Sequence, residues 1–110
     1  MKIAIPAEEK KGLEARVAEH FGRCNYYVII DEESMTEIRN TSEDMGGSGL
    51  PPELLKQHGV DVILCKALGP KAINLCKELG IKVYVGSAET VKEMLNLWKK
   101  GKLKKVKPFI

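Results

Sequence analysis

The 110-residue sequence contains no apolar run near the ~18 residues that a membrane-spanning helix needs, so no membrane anchor is expected. Its start, Met1-Lys2-Ile3-Ala4-Ile5-Pro6, has too short an apolar stretch and no small-residue cleavage site for a signal peptide. The expected location is the cytoplasm. Only three cysteines occur, Cys24, Cys65 and Cys76, with no C-x-x-C pair, which argues against both a disulfide framework and a zinc ribbon. They are expected to be free thiols in a reducing compartment. No GK[ST] ending follows the run Gly46-Gly47-Ser48-Gly49, so a phosphate-binding P-loop is not indicated. The first apolar segment, Lys2-Ile3-Ala4-Ile5, carries no carboxylate, whereas a two-metal nuclease needs several carboxylates converging on its ions.

What is present is a water-soluble composition, 44% hydrophobic and 30% charged, in a length suited to one core. The formal net charge of +3 conceals an asymmetry. Lys99, Lys100, Lys102, Lys104, Lys105 and Lys107 crowd the end of the chain; without these six, 12 of the 18 basic residues face 15 acidic ones, leaving the body at −3. The chain therefore divides into a single domain over residues 1–98 and a lysine-rich tail over 99–110, expected to be solvated and frayed. Phe109 is the one aromatic in that tail, too little for base stacking, so nucleic acid is not the expected partner.

The order of apolar runs and turn residues predicts βββαβαβα. Lys2 to Pro6, Asn25 to Asp31 and Met35 to Thr41 read as strands, the second near-continuously apolar and so buried on both faces. Pro51-Pro52 opens a helix that stops at Gly59, Val60 to Cys65 is a buried strand, and Gly69-Pro70 opens a second helix ending at Gly80. Ile81 to Val85 is the last strand. Thr90-Val91-Lys92-Glu93 has the form of a capping box before a helix with an apolar stripe of Val91, Met94, Leu95 and Trp98. Hairpin-type joins make the first strands antiparallel, and the later βαβαβ portion implies parallel strands with right-handed crossovers. This layout brings His20 to Cys24, the end of the strand at Cys65 and the helix starts at Gly69 and Thr90 to one edge of the sheet, where open α/β sheets bind ligands.

The five residues His20-Phe21-Gly22-Arg23-Cys24 combine an imidazole, a fixed positive charge and a thiol, which suits an anionic, sulfide-containing metal cluster. Gly22 permits close backbone approach, and helix starts offer unpaired N–H groups to an anion. Gly47, in the glycine run before a helix, is a further candidate for that role. A purely structural account stands beside this: Phe21 plugs the core and Cys24 is a small buried residue. Packing is the default for Cys76 and remains open for Cys65.

Lys2-Ile3-Ala4-Ile5-Pro6, His20-Phe21-Gly22-Arg23 leading into an aromatic strand, Gly46-Gly47-Ser48-Gly49, Gly69-Pro70-Lys71-Ala72, Gly80-Ile81-Lys82-Val83-Tyr84, Thr90-Val91 and Gly101-Lys102-Leu103 together resemble the dinitrogenase iron-molybdenum cofactor biosynthesis family. The resemblance implies a three-layer α/β/α, ribonuclease H-like fold with a five-stranded mixed sheet, ordered 3-2-1-4-5 and with strand 2 antiparallel. It also implies a non-enzymatic carrier of an iron-sulfur or molybdenum-containing sulfide cluster, working with donor and acceptor proteins of cluster biosynthesis; one relative holds a molybdenum-copper-sulfide cluster. The cargo would lie near His20, Phe21, Gly22, Arg23, Cys24, Gly47, Gly69 and Thr90, with Cys24, His20 and Cys65 as metal ligands. Many members have a small residue such as alanine where this chain has Cys24, and glycine is common where it has Cys65. An alternative from the residues alone is a thiol-based redox or regulatory module with no metal cargo.

Overall fold

Apolar residues on both faces of a strand require a cover on both sides, and this requirement organises the molecule. In the computed structural model, which describes residues 1–107, β1 (Lys2–Ala7) is buried from Ile3 onward. It lies between β2 (Tyr26–Asp31), antiparallel, and β4 (Val62–Cys65), parallel. The hairpin partner of β2 is β3 (Ser34–Arg39), and β5 (Lys82–Val85) continues the parallel portion beside β4. A sixth strand, β6 (Lys104–Lys105), closes the far side antiparallel to β5, giving the order β3-β2-β1-β4-β5-β6.

Alternation along the strands divides the core in two. Ala4, Tyr27, Ile29, Ile63 and Cys65 face one side, where they meet Leu55 of α1 (Pro51–Gln57) and Cys76 of α2 (Pro70–Glu78). Ile5, Val28, Val62 and Leu64 face the other, under Val91, Met94 and Leu95 of α3 (Val91–Lys99). The result is three layers, helix, sheet and helix, with the expected order and antiparallel second strand. Pro6 is tolerated in a central strand because β4 pairs only with Ile3 and Ala4 and does not reach it.

The sheet has six strands and not the expected five, and the correction falls in the lysine-rich segment. Helix α3 ends at Lys99 and Gly101 takes the left-handed conformation (φ 69°), turning the chain back. Leu103 then lies so close over Gly86 that a side chain there would overlap it, and Val106 donates to the Val83 carbonyl at 2.9 Å. Leu103 and Val106 join the cores on opposite faces of the sheet, which anchors Lys104 and Lys105 between them. Residues 102–107 are therefore a docked strand segment in place of the frayed tail read from the lysines. Phe109 lies outside the described residues. Among those described, no helix is long and apolar enough to cross a membrane.

Candidate functional site

The segment before β2 is stitched across the carboxyl ends of the parallel strands by its own backbone. Ala18 N–H donates to the Pro6 carbonyl (3.0 Å), Val17 N–H to Glu89 (2.8 Å) and Phe21 N–H to Ala67 (3.1 Å). This lacing ties residues 17–21 to the ends of β1 and β4 and to the start of α3. It carries His20 and Arg23 to the surface while Phe21, 2% exposed, drops into the core beside the tilted ring of Tyr27. The Phe21 carbonyl accepts the Tyr27 hydroxyl at 2.6 Å.

A second clamp comes from a residue that the sequence did not single out. Asn40, just past β3, is buried and uses its whole amide: Nδ2 donates to the carbonyls of Gly22 (2.8 Å) and Cys24 (2.9 Å), and Oδ1 accepts from Ser42 N–H (3.1 Å). The loop carrying His20 and Arg23 is thus fixed from below by tertiary contacts. The only signal in the sequence was register: Asn40 N–H meets the Asn25 carbonyl at 3.0 Å, directly beside the loop.

The loop separates two hollows. The larger, about 420 Å³, has His20 to Arg23 on one wall and Ala67 to Gly69, Lys71 and Ala72 at the start of α2 on another. Such a volume suits a small-molecule or cluster ligand. Its third wall, Leu50, Pro51 and Pro52 at the head of α1, offers few donors, because proline has no N–H and Leu50 N–H is already bonded to Glu53 Oε1 at 3.0 Å. The start of α2 is different. Its N-cap is Gly69, no side chain caps it, and the first intrahelical donor is Ile73, so the amides of Lys71 and Ala72 have no partner within the helix. Glu43 and Asp44 complete the rim, and the Asp44 carboxylate lies so close over Gly22 that a side chain there would have to displace it.

The smaller hollow, about 360 Å³, shares His20 and Arg23 and reaches Thr90. Its other cations are already paired, Arg16 with Glu9 at 2.7 Å and Lys66 with Glu19 at 3.0 Å. Among the described residues Arg23 and Lys71 make no ion pair. The Thr90 hydroxyl accepts Glu93 N–H at 3.2 Å, as its capping motif predicted, so this helix start is internally capped where that of α2 is not.

The expected site residues therefore separate. His20, Phe21, Gly22, Arg23 and Gly69 line the larger hollow, and Thr90 lines the neighbouring one. Gly47 lines neither. Its backbone folds against Thr41 and Ser42 with no room for a side chain, so the glycine run makes a tight turn and not an anion cradle. Cys24 and Cys65 are the larger correction to the expected arrangement: at 1% and 0% exposure their sulfurs sit in the core, as does that of Cys76, and neither lines the groove. The alternation of β4 puts Cys65 on the same covered face as Ile63, under α1 and α2.

Burial pushes the thiol of Cys24 up to about 11 and those of Cys65 and Cys76 up to about 12, so all three are neutral at pH 7. Two results are expected. A thiol-specific disulfide reagent at pH 7 should leave the native protein unmodified and react with all three sites once guanidinium unfolds it; a fast-reacting thiol in the native state would show that a sulfur opens to the groove. Stability should also fall as pH rises above the ordinary thiol range. There the unfolded chain loses protons that the folded chain retains, at about 1.4 kcal/mol per pH unit for each thiol, until the folded values are passed. Burial raises the Tyr27 hydroxyl as well, which adds in the same direction. Urea unfolding at pH 7, 9 and 10 measures the slope.

Comparison with known proteins agrees with this fold. The sequence profile described as "Dinitrogenase iron-molybdenum cofactor" matches residues 1–101. The chain belongs to that family. An uncharacterised protein of Methanocaldococcus jannaschii is 35% identical over 112 residues, covering 96% of this chain and 91% of the relative. The apo form of the orange protein from Desulfovibrio gigas superposes with a TM-score of 0.85 at 25% identity, covering 97% of this chain and 93% of that one. A Thermotoga protein provisionally described as a NifB protein superposes at 0.84 with 29% identity, covering 99% and 96%. The match to the dinitrogenase iron-molybdenum cofactor family thus covers β1 to β5, the laced loop and the residues lining the groove.

Proposed function

We propose that this protein is a non-enzymatic carrier that holds an anionic metal-sulfide cluster, iron-sulfur or molybdenum-containing, in the groove between α1 and α2. The observation that supports it most is the meeting of an uncapped helix start with two cations that make no ion pair among the described residues, Arg23 and Lys71, beside the imidazole of His20 and across from Glu43 and Asp44 on the rim. Backbone amides at a helix start and a guanidinium fork both favour an anion. His20 is the nitrogen donor that could bind a metal directly.

The donor set fits a preassembled cluster better than a bare ion. Among the described residues no group of three or more histidine, cysteine or carboxylate side chains could cage a single metal. A cluster brings its own sulfides, which complete the coordination of its metals, and asks the protein chiefly for charge and one ligand. Cys24 and Cys65 stay in the core under this reading, so a thiol-based module would have no exposed sulfur through which to act. The D. gigas relative, described as an apo form, is consistent with a family whose members bind and release a ligand.

Anaerobic incubation of the full chain with iron, sulfide and molybdate, followed by desalting and metal analysis, tests the proposal. A coloured protein that keeps its metal is expected, with the colour retained in Cys24→Ser and weakened in His20→Ala. Wild type that remains colourless and metal-free in every mixture would overturn it.

A further inference from the structure

The two edges of the sheet are defended unequally. β6 is two residues long, both lysine and both exposed, a combination that discourages a second chain from adding on. β3 has six residues in regular pairing with β2, and it contains no proline, no lysine and no bulge. Ser34, Met35, Thr36 and Arg39 are exposed along it. The Asn40 N–H bond to Asn25 sets the phase of the ladder, so residues 36, 38 and 40 bond toward β2. The N–H and C=O groups of Met35, Glu37 and Arg39 consequently point away from the sheet.

We infer that β3 pairs with β3 of a second copy of this chain, antiparallel about a two-fold axis at Ile38. In that register Ile38 meets Ile38 of the second copy as a non-hydrogen-bonded pair, and Glu37 and Arg39 stand opposite Arg39 and Glu37, with their outward backbone groups bonded to one another. Shifting the axis to Thr36 sets Met35 opposite Glu37 and moves Arg39 opposite Glu33, in the turn before the strand, and shifting it to Glu37 sets the two Glu37 carboxylates opposite each other. The axis at Ile38 therefore pairs the charges that lie within the strand itself. Glu37 is already oriented for it: one carboxylate oxygen accepts Gly12 N–H at 2.9 Å, which leaves the other for Arg39 of the second copy. Arg39 has no ion pair among the described residues. Met35 and Leu13, 44% and 38% exposed, are the large apolar side chains beside this edge. An isologous contact of this kind closes on itself and leaves only the lysine-bearing β6 edges free. It lies across the sheet from β4 and β5 and does not depend on what the groove holds.

Analytical ultracentrifugation of the full chain without metal, from micromolar to several hundred micromolar, should show a species of twice the 12.2 kDa chain mass. Arg39→Glu, which sets like charges opposite each other at an exposed position, should weaken the dimer at least tenfold. Arg39→Pro should weaken it similarly, because it removes an N–H that makes no bond within the chain. Ile38→Cys should give a disulfide-linked dimer under mild oxidation. Wild type that stays monomeric throughout, or a dimer that both Arg39 variants leave unchanged, would overturn the inference. Absence of the Ile38→Cys cross-link in a dimeric protein would overturn this register.

Discussion

Replacing Asn40 by alanine should destabilise the protein by about 2–4 kcal/mol, a large share of the ~5–15 kcal/mol that holds a typical domain folded. The residue is 5% exposed, and its side chain makes three hydrogen bonds to backbone and a fourth, at 3.7 Å, to Cys24 Sγ. Its loss strands the carbonyls of Gly22 and Cys24 and the N–H of Ser42, and an unpaired buried polar group costs more than the bond it made was worth. Asn40→Asp sharpens the test, because the carboxylate keeps the shape and the Ser42 contact but presents an acceptor to two carbonyl oxygens. It should be at least as destabilising as alanine at pH 7. The introduced carboxyl would titrate above its unfolded value, so stability should recover as pH falls through the folded pKa and the group becomes a donor. Urea unfolding of the three proteins at pH 7 and pH 5 measures both effects. A change of less than about 0.5 kcal/mol in Asn40→Ala would mean that the loop holds its shape without this clamp.

Arg23→Glu should weaken cluster binding by a few hundred-fold and leave folding almost untouched. The arginine is exposed and has no ion pair among the described residues, so its removal should shift stability by no more than about 0.5 kcal/mol. A charge-assisted hydrogen bond to an anion contributes about 1.5–3 kcal/mol, and a carboxylate in its place adds repulsion, for a total near 3–4 kcal/mol. Arg23→Lys keeps the charge but loses the planar fork, and should fall between the two. Affinity for the reconstituted cluster, measured at low and high salt, distinguishes these cases, since screening should cost wild type more than the glutamate variant. Equal affinity in wild type and Arg23→Glu would remove the cluster from this groove.

The architecture was legible because burial on both faces leaves a plain mark in sequence. Ile3 to Ala7, Tyr27 to Ile29 and Val62 to Cys65 are buried runs, and the proline and glycine punctuation around α1 and α2 stands where the helices start and stop. Family membership was legible for a related reason, since its short motifs fall at the turns and helix starts that such a sheet requires. β6 was not legible, because six lysines outweigh Leu103 and Val106 in any reading by composition. Lys104 and Lys105 form a strand only when Gly86 leaves room for Leu103 and the Val83 carbonyl accepts Val106 N–H.

The candidate site divides along the same line. Its position at the end of the sheet, and the presence there of His20 and Arg23, follow from strand order and chain direction, which local patterns encode. The side to which each sulfur turns, the hydrogen bonds of Asn40 to a loop distant in sequence, and the contrast between the open start of α2 and the capped start of α3 do not. They depend on which groups meet after the layers close. A cysteine looks equally fit for ligation or packing until its neighbours are known, and here burial, which penalises the thiolate, keeps all three thiols neutral and away from the groove.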